Sequence, residues 1–500
     1  MARTITALLR SVLFALTLLG CAGQAMAQEY YFAVEVNGIL CGYARFNLSP
    51  DRTSTRGLTV LTHETVVRGT LLGAPLDSRI TLTYHIDPAT RAFTYHDSTI
   101  EQGPVRLTSA IRVEDRRARV SDNRGGPESI VDLPADVVLD NTLTHRHLVT
   151  DFVDGRIDTK TYQVFDGRDN AVRETAYTRV GTERLTLAGR TFETVVLDSV
   201  DRTTGVTARL WLDPQTGVAV QTRYPGNRLS YLAEAAVADT VMRATRRPSL
   251  DPAIMAKANV AIPDIRGIAY MKVRVAARPS GVWLTPEALS VPGQRFTGTV
   301  KDNVVDGVFE IEHARYDGAN APPSPADFAG DASLKRFLGS DDYIQAGDPV
   351  LSAKAREITL GARDSWEAAR RLSAWVAQHI KGAIPGGVTA RGTYDQGAGD
   401  CGGHSFLLAA MCRSVGIPAR VVWGCLYTPH QGGAFGQHAW NEVYMGPAGW
   451  IPLDTTIAEV DYVDSGHIRI GVFGSVATSL NVRSIEILDH RVPVTSGPGR

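Results

Sequence analysis

The sequence predicts an α+β protein: two antiparallel β-rich modules, then a mixed domain of helices and strands. Three observations carry this. Residues 28 to about 245 alternate apolar and polar side chains in short runs set off by turn residues, as in Tyr31-Phe32-Ala33-Val34-Glu35-Val36 and Ile80-Thr81-Leu82-Thr83-Tyr84-His85-Ile86. Alternation returns from about 255 to 320, as in Ala269-Tyr270-Met271-Lys272-Val273-Arg274-Val275. From about 335 the period becomes helical. At 500 residues the chain is too long for one compact core. Its net charge of −1, with scattered arginines, offers no basic face, so nucleic acid is not an expected partner.

The first 27 residues read as an export signal. Arg3 and Arg10 form a positive start, Ser11 to Gly20 a short apolar run, and Ala25-Met26-Ala27 a small-x-small cleavage site. The apolar run is too short to span a bilayer. Leu18-Leu19-Gly20-Cys21 is a competing reading, a lipobox that would put a lipid anchor on Cys21. Either way the mature chain leaves the cytoplasm, as a periplasmic or secreted protein or an outer-membrane lipoprotein. No later stretch reads as a transmembrane helix.

Asp87-Pro88-Ala89-Thr90 and Asp213-Pro214-Gln215-Thr216-Gly217 read as hairpin tips, with proline at the second turn position. The β-rich region should be a large, curved antiparallel sheet with one solvated face. His145 and His147 could ligate a metal from one strand face, but no carboxylate or cysteine stands at ligand spacing, which favours packing. Residues 246–252, with Pro248 and Pro252, form a linker. Pro322, Pro323 and Pro325 close the second β module. Asp348 then caps a helix with Pro349 at its first position, running through Ile358. Asp364 and Glu367 form a capping box for an amphipathic helix carrying Leu372, Trp375, Val376 and Ile380. Gly382 to Gly399 reads as a glycine-rich loop.

That loop leads into Gly399-Asp400-Cys401, where a buried helix opens and runs to about Val415, stopped by Gly416 and Pro418. A cysteine in a helix's first turn sits at the positive end of the macrodipole, which favours the reactive thiolate. Two following strands deliver His438 and Asp454, which lie 37 positions after Cys401 and 16 after His438. Those spacings leave room for a helix, strand and loop, and then for a hairpin. Thiol, imidazole and carboxylate are the parts of a nucleophilic triad. The Cys401 backbone N–H is a natural oxyanion donor, and Gln396 in the approach loop is a second candidate. Against this, Cys401 could be an inert thiol, His438 a core histidine and Asp454 a turn cap. Cys412 and Cys425 could pair across the helix-to-strand turn, or be two small buried hydrophobes. With no C-x-x-C pair, neither metal nor cofactor is expected.

Gly399-Asp400-Cys401, Gly416-Ile417-Pro418-Ala419-Arg420-Val421-Val422, His438-Ala439-Trp440-Asn441-Glu442-Val443-Tyr444 and Trp450-Ile451-Pro452-Leu453-Asp454-Thr455 occur in the order of the transglutaminase-like core, a papain-related thiol fold that the C-terminal third resembles. The resemblance implies Cys401 as nucleophile, His438 as base and Asp454 as its orienter. His404 matches a histidine found three positions after the nucleophile in bacterial members, and also suits helix packing. Trp440 and Trp450 would be core or cleft wall. Gly402-Gly403 departs from the bulkier polar residues of bacterial members. The expected organisation is a signal peptide (1–27), a β-rich domain (28–245), a small β module (255–320), a transglutaminase-like catalytic domain (335–490) and a tail (491–500). The expected activity is acyl transfer from the amide bonds of a protein or peptide substrate. The acceptor would be water in a cysteine protease or amidase, or an amine in a cross-linking transglutaminase. A non-catalytic envelope scaffold keeping the fold is the alternative class.

Overall fold

In a computed structural model, residues 28–492 are described except for internal stretches of one to five residues, the longest being 384–388 and 474–478. The export signal with Cys21, the turn residues 88–90 and the tail from 493 lie outside the described residues.

The first β-rich region is one 15-stranded sheet. Its opening strand, Gln28–Val36, lies in the middle, between Ile39–Pro50 and Arg228–Ala233. The following strands extend outward from it in chain order on one side, and the last strand, Arg228–Ala233, begins a run in reverse chain order on the other. All pairings are antiparallel except Val138–Leu139 against Val164–Phe165. Alternation sets the buried face: in Arg117–Asp122, Ala118 and Val120 point inward while both arginines stay in water. The Asp213 tip forms as expected, with Gly217 N donating to Asp213 O at 2.8 Å and the Asp213 carboxylate accepting from Gln215 N and the Thr216 hydroxyl.

His145 and His147 do not sit on a strand. Arg146–Val149 is a short helix, because Leu148, Val149 and Phe152 repeat at helical spacing and are buried together. His145 is buried, and its burial drives the imidazole down to about 3. Neither histidine belongs to a metal-competent group among the described residues.

Two larger sheets, and a two-stranded parallel pair of Lys381–Gly382 and Ala398–Gly399, build the remainder. A five-stranded sheet holds Ala419–Thr428 and Ala434–Tyr444 at its centre, with Met255–Lys257, Trp450–Leu453 and His467–Val472 beside them. A four-stranded sheet runs Gln294–Lys301, Val304–Ile311, Tyr270–Ser280 and Ser479–Arg491. The two share a core in which Met271, Val273 and Phe309 meet Trp423, Tyr427 and Ile470. The helices cover the other face of the five-stranded sheet, packing Leu372, Val376, Leu407 and Met411 against Val421, Val443 and Leu453.

Helix starts follow the expected caps. The Asp348 carboxylate accepts from Val350 N and Leu351 N, opening Pro349–Thr359. Asp364 accepts from Glu367 N at 2.8 Å, opening Ser365–His379, while Glu367 reaches back to Arg363 N rather than to the cap itself. The Gly382–Gly399 stretch is not wholly a loop. Ala390–Gln396 is a helix, capped by Thr389 and stopped by Gly397 in the left-handed region (φ +60). Buried Ala390 and Thr393 hold it against the core despite the surrounding glycines.

Candidate active site

Asp400 is the N-cap of the Cys401–Ser414 helix, accepting from Gly403 N at 2.9 Å. Residues 403–413 are buried, so the helix is fixed as a core element while Cys401 remains half-buried at its mouth. Buried Arg413 anchors the other end, donating to Ala419 O and Gly339 O, a cation at the negative pole of the helix. His404 turns inward, its ring nitrogens 2.8 Å from Asp400 O and 3.2 Å from Ile380 O, a packing position. Gln396 is exposed on the last turn of the preceding helix. Cys412 and Cys425 are unpaired and buried, which pushes both thiols up to about 12.

His438 lies on Ala434–Tyr444. Three residues on, Asn441 Nδ2 donates to Ser405 O at 2.9 Å and ties that strand to the cysteine helix. Asp454 follows Trp450–Leu453 on the neighbouring strand and is fully buried. Reciprocal backbone bonds, Asp454 N to Glu459 O at 2.9 Å and Glu459 N to Asp454 O at 2.8 Å, clamp the loop that follows. His438 Nε2 donates to Asp454 Oδ2 at 2.6 Å, and Thr456 N donates to Oδ1 at 2.9 Å. With Nε2 engaged, Nδ1 is the nitrogen left to face Cys401, whose nearness helps to raise this ring. The structure thus brings Cys401, His438 and Asp454 into one chain of contacts.

The electrostatics are opposed and resolved. Burial alone would push His438 down, but the Asp454 carboxylate, and then Cys401, outweigh it and raise the imidazole to about 10. Burial would raise Asp454, and His438 and His467 instead hold it well below the carboxylate range. Trp440 is buried, its ring centroid 6.1 Å from that of His438 and nearly parallel to it. Trp450 is only half-buried and carries the Arg420 guanidinium 4.0 Å above its ring. Arg420 and Arg469 both pair with the buried Glu442 carboxylate.

His467 is the residue that motif reading missed. It opens His467–Val472, is fully buried, and places Nε2 3.1 Å from Asp454 Oδ2. Nothing marks it in the sequence, for it stands alone in a short strand outside the recognised blocks. His438, Asp454 and His467 bring ligand-type atoms within 4.8 Å of one another, as do Glu459, Asp464 and His467. In the first group both Nε2 atoms point at the same carboxylate oxygen, the arrangement of N–H donors rather than of lone pairs converging on a cation.

Residues 352–455 match the model of the transglutaminase-like superfamily. No curated protein matches the chain. Among solved structures, a candidate cysteine protease from Cytophaga hutchinsonii is 16% identical, over 44% of this chain and 90% of its own, with a TM-score of 0.32. A β-barrel-like protein of Brucella abortus, built on a domain of unknown function, is 11% identical over 42% of this chain and 95% of its own, with a TM-score of 0.31. The periplasmic domain of TgpA from Pseudomonas aeruginosa is 13% identical over 41% and 87%, with a TM-score of 0.26. Residues 352–455, with the cysteine helix and the strands they contain, are therefore similar to the transglutaminase-like superfamily.

Proposed function

We propose that the chain is an exported thiol-dependent acyl-transfer enzyme acting on amide bonds of a protein or peptide, with water as the usual acceptor. One observation carries the reading: a buried histidine with Asp454 2.6 Å from one ring nitrogen and Cys401 near enough to help raise the ring. In that arrangement His438 takes the thiol proton and Cys401 Sγ attacks the amide carbonyl. His438 then returns the proton to the leaving amine, and a thioester remains on Cys401. Asp454 fixes the tautomer and steadies the imidazolium. The Cys401 N–H, at a helix start, faces the oxyanion. Water activated by His438 releases the acid; a primary amine in its place gives a cross-link. Export rests on the signal-like first 27 residues, and no helix among the described residues is long and apolar enough to cross a membrane.

Iodoacetamide should label Cys401 faster than a free model thiol at mildly acidic pH, and Cys401→Ala should abolish turnover with a nearly unchanged thermal midpoint. Labelling no faster than the model thiol would sink the reading. Peptide turnover with and without an added primary amine separates hydrolysis from transfer.

A further inference from the structure

We propose that His467 is a positioning residue of this site, aiming the Asp454 carboxylate at His438 by donating Nε2–H to the same oxygen, Oδ2. This rests on reading Cys401, His438 and Asp454 as a catalytic set. Asp454 receives three N–H groups from three different segments: Thr456 N on Oδ1, and His438 and His467 on Oδ2. Thr456 on Oδ1 and His438 on Oδ2 hold one donor at each oxygen, but one of these donors is the ring to be aimed. A third donor from another strand fixes its plane.

His467 can do this because it is itself held. Its Nδ1 lies 3.1 Å from Asp464 O and 3.5 Å from Asp464 Oδ1. Acceptors face both nitrogens, and two of them are carboxylates, Asp454 at 3.1 Å and Asp464 at 3.5 Å, so full negative charges favour the ring as an imidazolium. Burial opposes that charge, and the hydrogen bonds to Asp454 and Asp464 outweigh it, raising the pKa well above the ordinary value. The groups facing the ring are Asp454, Asp464, His438, Glu459 and His313, with the Trp440 ring edge-on at 5.1 Å. Glu459 is raised to about 8, first by burial and then by Asp464, and so is mostly neutral near pH 7. His313 is pushed down to about 4, by burial and then by His467, and is also neutral. Asp454 and Asp464 therefore carry the balancing charge. A buried imidazolium between two carboxylates contributes little net stability relative to apolar packing. Its use is in where it puts the shared oxygen.

The experiment follows Cys401 alkylation by iodoacetamide from pH 4 to 10, read by mass spectrometry, in the full mature chain. Gln places its amide nitrogen where Nε2 stands; Asn places it where Nδ1 stands. H467N, keeping the Asp464 contact but not the Asp454 contact, should cut the maximal labelling rate about 10-fold. H467Q, keeping the Asp454 contact, should restore most of it. In a D454A background H467N should have no further effect. Equal rates in H467N and H467Q, or losses that add to that of D454A, overturn the proposal even if both variants melt earlier. The His438 ring 15N shifts serve as a readout independent of activity: they move in H467N and not in H467Q if His467 acts through Asp454, and the reverse result overturns the proposal. If wild-type Cys401 labels slowly, the acyl-transfer reading fails while these shifts still decide the role of His467.

Discussion

Both halves of the molecule bury histidines completely, and they do opposite things with them. In the 15-stranded sheet, His96 sits beneath the Tyr84 ring, its nitrogens 2.9 Å from Thr83 O and 3.0 Å from Gly167 O. Burial outweighs those two carbonyl dipoles, and the ring is held neutral, below its ordinary pKa. In the C-terminal domain, His438 and His467 are equally buried, yet both are raised, because a full carboxylate charge rather than a carbonyl dipole faces them. Desolvation is common to both halves, so the partner decides the sign. A neutral buried histidine is a packing group. One kept charged by a carboxylate, with a half-buried thiol at its other nitrogen, is arranged for proton transfer.

The contrast can be broken most sharply at Asp454. Asp454→Asn removes the counter-charge, so His438 should fall back toward the His96 condition. Turnover should drop on the order of 10³–10⁴-fold and Cys401 labelling should fall toward the rate of a free model thiol, and a turnover loss under tenfold would leave the carboxylate without the role given it. Next is Gly424, which lies opposite His438 in the sheet. A Cβ there would meet Ile468 O at 1.9 Å. Gly424→Ala should push the His467 strand away, costing about 1–3 kcal/mol of stability and slowing Cys401 labelling; denaturant titration and alkylation measure the two.

Thermal midpoints against pH separate the two kinds of histidine. The raised pKa of His438 contributes stability that is full below pH 6.5 and is lost as pH rises toward about 10. The wild-type advantage over His438→Gln should therefore shrink with alkali. The lowered pKa of His96 contributes stability present above pH 6.5 and lost on acidification. The advantage over His96→Leu, about 1–3 kcal/mol near neutrality from the one carbonyl that the neutral ring's N–H satisfies, should shrink with acid. Like slopes in the two pairs would erase the distinction. The smallest effect is at Glu459, raised to about 8. The wild-type chain loses stability there as pH rises from 4.5 to 8, so Glu459→Gln should be near-neutral at pH 4.5 and relatively stabilising at pH 9.

Much of the site was legible because each part announces itself locally. A glycine-rich loop gives way to an apolar helix at Cys401, Gly416 is a stop, and the alternation around His438 sets its face. The blocks also come in a recognised order. What escaped depends on distant chain. His467 gains its meaning from Asp454 and Asp464, which only folding brings to its ring. The Ala390–Gln396 helix was hidden by glycines, and two buried side chains override that local preference. The His145 segment was misread as strand because its apolar helical repeat begins only at Leu148.

The Ser479–Arg491 strand lies against Tyr270–Ser280, and Met255–Lys257 lies against the strand that bears His438. During synthesis Cys401, His438 and Asp454 therefore leave the ribosome well before the sheet that includes Ser479–Arg491 can close. Until residue 491 emerges, the shared core behind the histidine strand stays open to water. An excised cassette of 335–478 would repeat that unfinished state permanently, whereas a fragment beginning before 255 and ending after 491 would escape it.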